Sequence, residues 1–136
     1  MSTRSVIAFR DLNGTISSIY CHSDGYPSHN GKILLDHYET PEKVRDLVAL
    51  GHLSILGEVL GQQVEFNNAR NHRGQCIAYG RDRGESLLSS RANLSNSFEQ
   101  LQRESSQEYT YLFDQFTSTW FVAGGDSQKM NVLALY

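Results

Sequence analysis

The chain has little of what usually announces a compartment, a metal or a cofactor. Only two of its 136 residues are cysteine, Cys21 and Cys76. No C-x-x-C spacing exists, which excludes a zinc ribbon. Each cysteine sits in an apolar, strand-like stretch, so buried reduced thiols are expected rather than a disulfide. No apolar run approaches the roughly 20 residues that span a bilayer, and "MSTRSVIAFRDLNG" lacks the apolar segment of a signal peptide. The expected compartment is therefore the cytoplasm, with no membrane partner. Positive charge is also short: 12 basic against 15 acidic residues give a net charge of −3. A general nucleic-acid binder normally shows a basic face, so that class is set aside. Lysine is the scarcer cation, three against nine arginines. That bias suits bidentate recognition of phosphate or carboxylate, and it is also within the drift of a small sample. There is no G-x-S-x-G nucleophile turn and no G-x-x-x-x-G-K-[ST] phosphate loop. Internal repeats, linkers and low-complexity tails are missing too.

What is present is one domain's length of patterned sequence, 39% apolar and 20% charged, enough to build a core. "SVIAFRDLNGTISSIYCH" reads as a β-hairpin, Arg4 to Arg10 and Thr15 to His22, with Asn13-Gly14 supplying the positive φ angles of the turn. Alternation puts Ile16, Ser18, Tyr20 and His22 on one face of the second strand and Ser17, Ile19 and Cys21 on the other. A helix is expected from Gly31 to Tyr38, capped by Asn30, with Ile33, Leu34, His37 and Tyr38 as its apolar stripe. "TPEKVRDLVALG" is a clear helix, with Thr40 capping, Pro41 in the first position, Glu42 at the positive end and Gly51 closing it. "HLSILGEVLG" is read as a helical turn burying Leu53, Ile55, Leu56 and Leu60. Strands are expected at Gln63 to Phe66 and Gln75 to Tyr79. Asn96 with Glu99 makes a capping box before Phe98 and Leu101. "EYTYLFDQF", "STWFVAGGD" and "MNVLALY" read as a three-stranded antiparallel meander, turning at Gly124-Gly125-Asp126. The expected class is a single α+β domain, residues 1–136, with an antiparallel sheet and two to three helices.

Chemistry is concentrated in "IYCHSDGYPSHNGKILLDHY". Tyr20 and His22 project from one face of a strand end. Asp24, Gly25, Tyr26 and Pro27 form a turn, and His29 leads into a helix start carrying Lys32, where free N–H groups could hold an anion. Two aromatics and two histidines exceed what a turn requires, which favours a pocket; the bland reading is a strand-to-helix connection. His22, Asp24 and His29 could also ligate a metal, but H-x-D-x-x-x-x-H matches no strong template, so no metal and no cofactor are expected. The second candidate is "AYGRDRGES". Arg81 and Arg83 on a Gly-bounded loop could clamp a diphosphate, or the stretch is a solvated turn neutralised by Asp82 and Glu85. Arg4, at a strand start, could reach the same rim. Trp120, Tyr109 and Tyr111 read as sheet-face or core aromatics, His37 as a hydrogen-bonded core or rim histidine, and His52 and His72 receive no role. Cys21 lies inside a strand, which does not suit a nucleophile.

The opening "STRSVIAF", the long block above, "PEKVRDLVALGHLSILGE" and "AYGRDRGE" resemble a group of small proteins of bacteriophages and prophages with a Y-C-H-x-D-G-Y-P…G-K motif. The resemblance covers roughly the first two thirds of the chain and the "YLF…W" stretch. Members often carry Trp where this chain has Ser23, which removes a stacking side chain here. The resemblance implies a phage setting rather than a reaction. Small phage accessory proteins commonly counter host defences, some by sequestering nucleotide-derived immune signals. The leading expectation is therefore a protein that binds a nucleotide-like, phosphate-bearing ligand without turnover. Tyr20, His22, Asp24, Tyr26, His29 and Lys32 would form one wall, Arg81 and Arg83 the clamp, and Arg4 the rim. A homodimer or higher homo-oligomer with a pocket at the seam is an open arrangement. The alternatives are a direct inhibitor of a host defence protein, and a small phosphodiesterase or lyase using His22 with Asp24 or His29.

Overall fold

The computed structural model describes residues 3–63, 74–105, 107–124 and 131–133. Its backbone is a mixed, mostly antiparallel sheet with helices on both faces, an α+β fold. Strand β1 (Ser5–Arg10) pairs antiparallel with β2 (Ile16–Cys21) and, on its other edge, parallel with β6 (Tyr109–Asp114). β6 continues antiparallel into β7 (Thr119–Gly124) and β8 (Asn131–Val132). The hairpin and the C-terminal meander expected from alternation are thus joined by a parallel seam, which local patterning cannot reveal. The expected Gly125-Asp126 turn, the ends of the last strand, most of the Gln63–Phe66 strand and His72 lie outside the described residues.

The far edge of β2 is shared. Its first half pairs antiparallel with β5 (Asn93–Ser95), and its last residue pairs parallel with β3 (Leu53–Ile55), which carries β4 (Ile77–Ala78) outermost. β3 corrects the helical turn expected at "HLSILG". Leu53 is buried on the sheet, Ile55 is exposed, and extended backbone there lets the Leu53 carbonyl accept from His22 N–H at 3.0 Å. The β1–β2 turn also differs in detail. Only Gly14 has positive φ, while the Asp11 carboxylate accepts from Asn13 and Thr15 N–H, a type I turn closed by a left-handed glycine.

Register sorts the side chains onto two faces. One face carries Ile7, Phe9, Ile19, Cys21, Tyr111, Phe113 and Trp120. It is covered by α1 (Lys32–His37) and α2 (Pro41–Ala49), which insert Leu34, Val44, Leu47 and Val48. Thr40 caps α2 as expected, accepting from Lys43 N–H at 3.3 Å. Asn30 does not cap α1. It is buried in a π-helical turn, Pro27–Gly31, and donates to the Ser23 carbonyl and Cys21 Sγ. Trp120 Nε1–H donates to the Tyr38 carbonyl at 2.9 Å, and its ring meets Phe113 edge-on at 5.3 Å. Both cysteines are free and buried, and burial pushes the Cys21 thiol up to about 12.

The opposite face is covered at one end by α5 (Phe98–Ser105), over Val6, Ala8, Ile16 and Leu112. The α5 cap is displaced by one residue from the expected pair. Ser97 Oγ accepts from Gln100 N–H at 3.1 Å, and Gln100 Oε1 accepts from Asn96 N–H. Two short helices, α3 (Tyr79–Arg83) and α4 (Leu87–Ser90), connect β4 to β5. Among the described residues no helix is long and apolar enough to cross a membrane.

Candidate functional site

The open part of the second face lies where β5 stops and β3 begins. Tyr20 N–H points into this break in the ladder, and its partner is a side chain: His52 Nδ1 accepts at 3.0 Å. His52 is positioned by its own backbone, its N–H donating to Ser90 O at 2.7 Å and its carbonyl accepting from Tyr79 N–H. Gly51 allows this approach. Its φ is +82°, and a Cβ there would stand 2.3 Å from Ser90 O. Because Nδ1 accepts, His52 is the neutral Nε2–H tautomer. Burial lowers its pKa, with Glu85 pulling part of the way back.

Around this break the face is aromatic and basic. The Tyr20 hydroxyl and His22 Nδ1 are 2.8 Å apart, and the Tyr20 ring meets His52 edge-on at 6.5 Å. Burial raises the Tyr20 pKa, while the Arg4 guanidinium lowers it. Arg4 directly precedes β1, where Ser5 pairs with Cys21 and Val6 with Tyr20, so alternation puts it on the Tyr20 face. Ser54 follows Leu53 onto the face of His22, and Arg83 extends towards it, Nη1 to Oγ 3.5 Å, while covering the Tyr79 ring at 5.0 Å. A cleft of about 370 Å³ opens between Tyr20, His52, Tyr79, Glu85 and Ser89. A second of about 280 Å³ lies on the other side of Tyr20 and His52, floored by Ser18 and rimmed by Asn93, Glu104 and Gln107. Ser18 is 1% exposed, and its Oγ has no hydrogen-bond partner among the described residues. Burying a hydroxyl in that state costs on the order of 1–3 kcal/mol.

The expected single wall is divided by this geometry. Tyr20, His22 and Arg4 share the open face, with Arg83 beside them. Asp24 and His29 line a different groove of about 300 Å³, with Ile33, Glu58 and Gln75. The loop after His22 carries the chain over to the helix-covered face, where α1 packs. Tyr26 is exposed with its ring edge-on to His29 at 5.9 Å, and Lys32 is exposed at the α1 start. Much of this loop is structural. Asp24 takes φ +56°, Gly25 N–H donates to Thr3 O, and Tyr111 hydroxyl donates to Gly25 O at 2.6 Å.

Arg81 is not an open clamp. Its Nε lies 3.0 Å from Asp82, a fully buried carboxylate that also accepts from Ala78 N–H. Its Nη atoms donate to the carbonyls of Leu60, Gly61 and Cys76. "YGRDR" is helical, which separates the directions of Arg81 and Arg83. His52, Tyr79, Ser54 and Ser18 were missed by sequence reasoning. Alternation had put Ser18 on the face of Tyr20 and His22; for His52, Tyr79 and Ser54 residue type was the signal, since their convergence depends on the divided edge of β2. Among the described residues no three His, Cys, Asp or Glu side chains gather to hold a metal ion. Comparison of the chain with protein-family models and curated proteins, and of its fold with solved structures, gives no match.

Proposed function

We propose that this protein binds a planar, phosphate-bearing small molecule of the nucleotide class on the open face of its sheet, without turning it over. The observation that carries the reading is the convergence of Tyr20, His22, His52 and Tyr79 with Arg83 and Arg4 around a break in an otherwise hydrogen-bonded sheet. Aromatic faces supply stacking for a base, and guanidinium groups supply charge-assisted donors for phosphate. The Tyr20–His22 contact holds both side chains in place before a ligand arrives, which lowers the ordering cost of binding. The resemblance to small phage proteins gives this binding a purpose, the sequestration of a nucleotide-derived defence signal in the host cytoplasm.

The test is mass spectrometry of small molecules extracted from protein incubated with lysate of defence-activated cells, followed by calorimetry with nucleoside mono- and cyclic phosphates. An unmodified nucleotide-type ligand, lost in His22→Ala and Arg83→Ala but kept in Lys32→Ala, supports the reading. No ligand and no heat with any nucleotide, from folded protein, overturns it in favour of a protein-binding inhibitor. Release of a hydrolysed product would instead establish an enzyme.

A further inference from the structure

Ser18 and Tyr20 lie on one face of β2, and His22 follows its last residue in the same alternation, its N–H donating to the Leu53 carbonyl. Their Cα positions therefore span roughly 13 Å from first to last at the usual strand rise, comparable to the length of a nucleoside monophosphate. The chemistry changes sign along that line. At the His22 end stand two guanidinium groups, Arg4 ahead of β1 and Arg83 beside Ser54, against the single Glu85 carboxylate of the neighbouring cleft. At the Ser18 end the cleft of about 280 Å³ is rimmed by the Glu104 carboxylate and the amides of Asn93 and Gln107. A phosphate is repelled by the second end and attracted by the first. The Ser18 end also holds the buried hydroxyl without a partner among the described residues, a donor and acceptor at the floor of the cleft.

We infer that the cleft beneath α5 is a base-recognition site, taking a heterocycle that bears an exocyclic amino group. The inference rests on the nucleotide-binding reading above and specifies which end of the ligand goes where. Three of the rim groups, Glu104, Asn93 and Gln107, carry acceptor oxygens, and an amide side chain pairs with an amine and the neighbouring ring nitrogen in one bidentate contact. Glu104 already accepts from Gln100 Nε2 at 3.0 Å, which orients the carboxylate and leaves lone pairs on both oxygens. His52 and Tyr20 form the wall shared with the neighbouring cleft, so the sugar passes over them towards His22.

Adenosine and inosine monophosphate separate the two ideas, since they share sugar and phosphate and differ in an amine exchanged for a carbonyl. Calorimetry should show adenosine monophosphate binding at least about tenfold tighter than inosine monophosphate. Glu104→Gln should narrow that gap, and Ser18→Ala should weaken the amino-bearing ligand about tenfold. Ser18→Ala should also raise the melting temperature, because it removes a buried hydroxyl that has no partner among the described residues; it is the accompanying loss of affinity that a merely structural serine would not show. Ser5→Ala is the control. Its Oγ is likewise buried and unpaired among the described residues but lies on the covered face, so it should stabilise without changing affinity. Equal affinity for the two nucleotides, or binding indifferent to Ser18→Ala and Glu104→Gln, overturns the base site and leaves the phosphate-binding reading standing. Binding of neither nucleotide overturns both.

Discussion

The two faces of the sheet are built from the same strands yet solve different problems. The covered face is apolar almost throughout: Phe9 stacks on Phe113 at 6.1 Å, and Trp120, Leu34 and Leu47 close the gaps. The open face has a small apolar cluster under α5. It then gives way to the buried Ser18 and the half-buried Tyr20, His22 and His52. Alternation makes the division possible, since every second residue of β2 can be spent on stability and the rest on recognition. Polar groups held half-buried and incompletely paired are a cost to folding, and such costs concentrate where a protein binds something.

The sharpest test of the contrast is Phe113→Ala on the covered face. The ring is fully buried, so a loss of about 3–5 kcal/mol is expected in chemical denaturation, with destabilised but correctly paired strands. Arg81→Ala comes next. It leaves the buried Asp82 without its guanidinium and three carbonyls without their donor. We expect a loss of about 2–4 kcal/mol, visible as a lower melting temperature. Ligand binding should weaken only as far as α3 loosens. If Arg81→Ala abolished binding at full stability, the distinction drawn between scaffold and face would break. Tyr20→Phe removes one part-exposed hydrogen bond to His22 and should cost about 1 kcal/mol or less, while cutting ligand affinity far more than stability.

The smallest effect is that of pH. His52 has a folded pKa lowered by burial, against about 6.5 when unfolded. Just below that value the unfolded chain binds more protons than the folded one. The His52 contribution to stability is therefore complete above about pH 6.5 and is lost as pH falls below it. Denaturation midpoints between about pH 5 and 8 should show this slope, and His52→Asn should flatten it.

The sequence made parts of this legible and hid others for identifiable reasons. Thr40-Pro41 and Gly51 mark α2 because capping is local. The hairpin and Tyr20 with His22 on one face follow from alternation. The wall proposed from residues 20 to 32 was split because the chain crosses the sheet edge after His22, and nothing local marks a crossing. Arg81 and Arg83 look equivalent in sequence. A five-residue helix turns one inward onto Asp82 and the other outward over Tyr79. His52 could not be read at all, because its partner, Tyr20 N–H, becomes available only through the meeting of β5 and β3 on one edge.

The parallel seam between β1 and β6 also bears on how the protein is made. Ser5 pairs with Tyr109 and Arg10 with Asp114, so the seam joins segments on the order of a hundred residues apart, a strongly non-local pairing. A ribosome adding about 5–20 residues per second would expose the hairpin for several seconds before β6 emerges. Through that interval one edge of "SVIAFR" carries unpaired amides and carbonyls beside apolar side chains, a template for pairing with another nascent chain. Yield in the cell would then be set by how quickly that edge is occupied, and slowing translation between β2 and β6 should lower it even though the finished fold is unchanged.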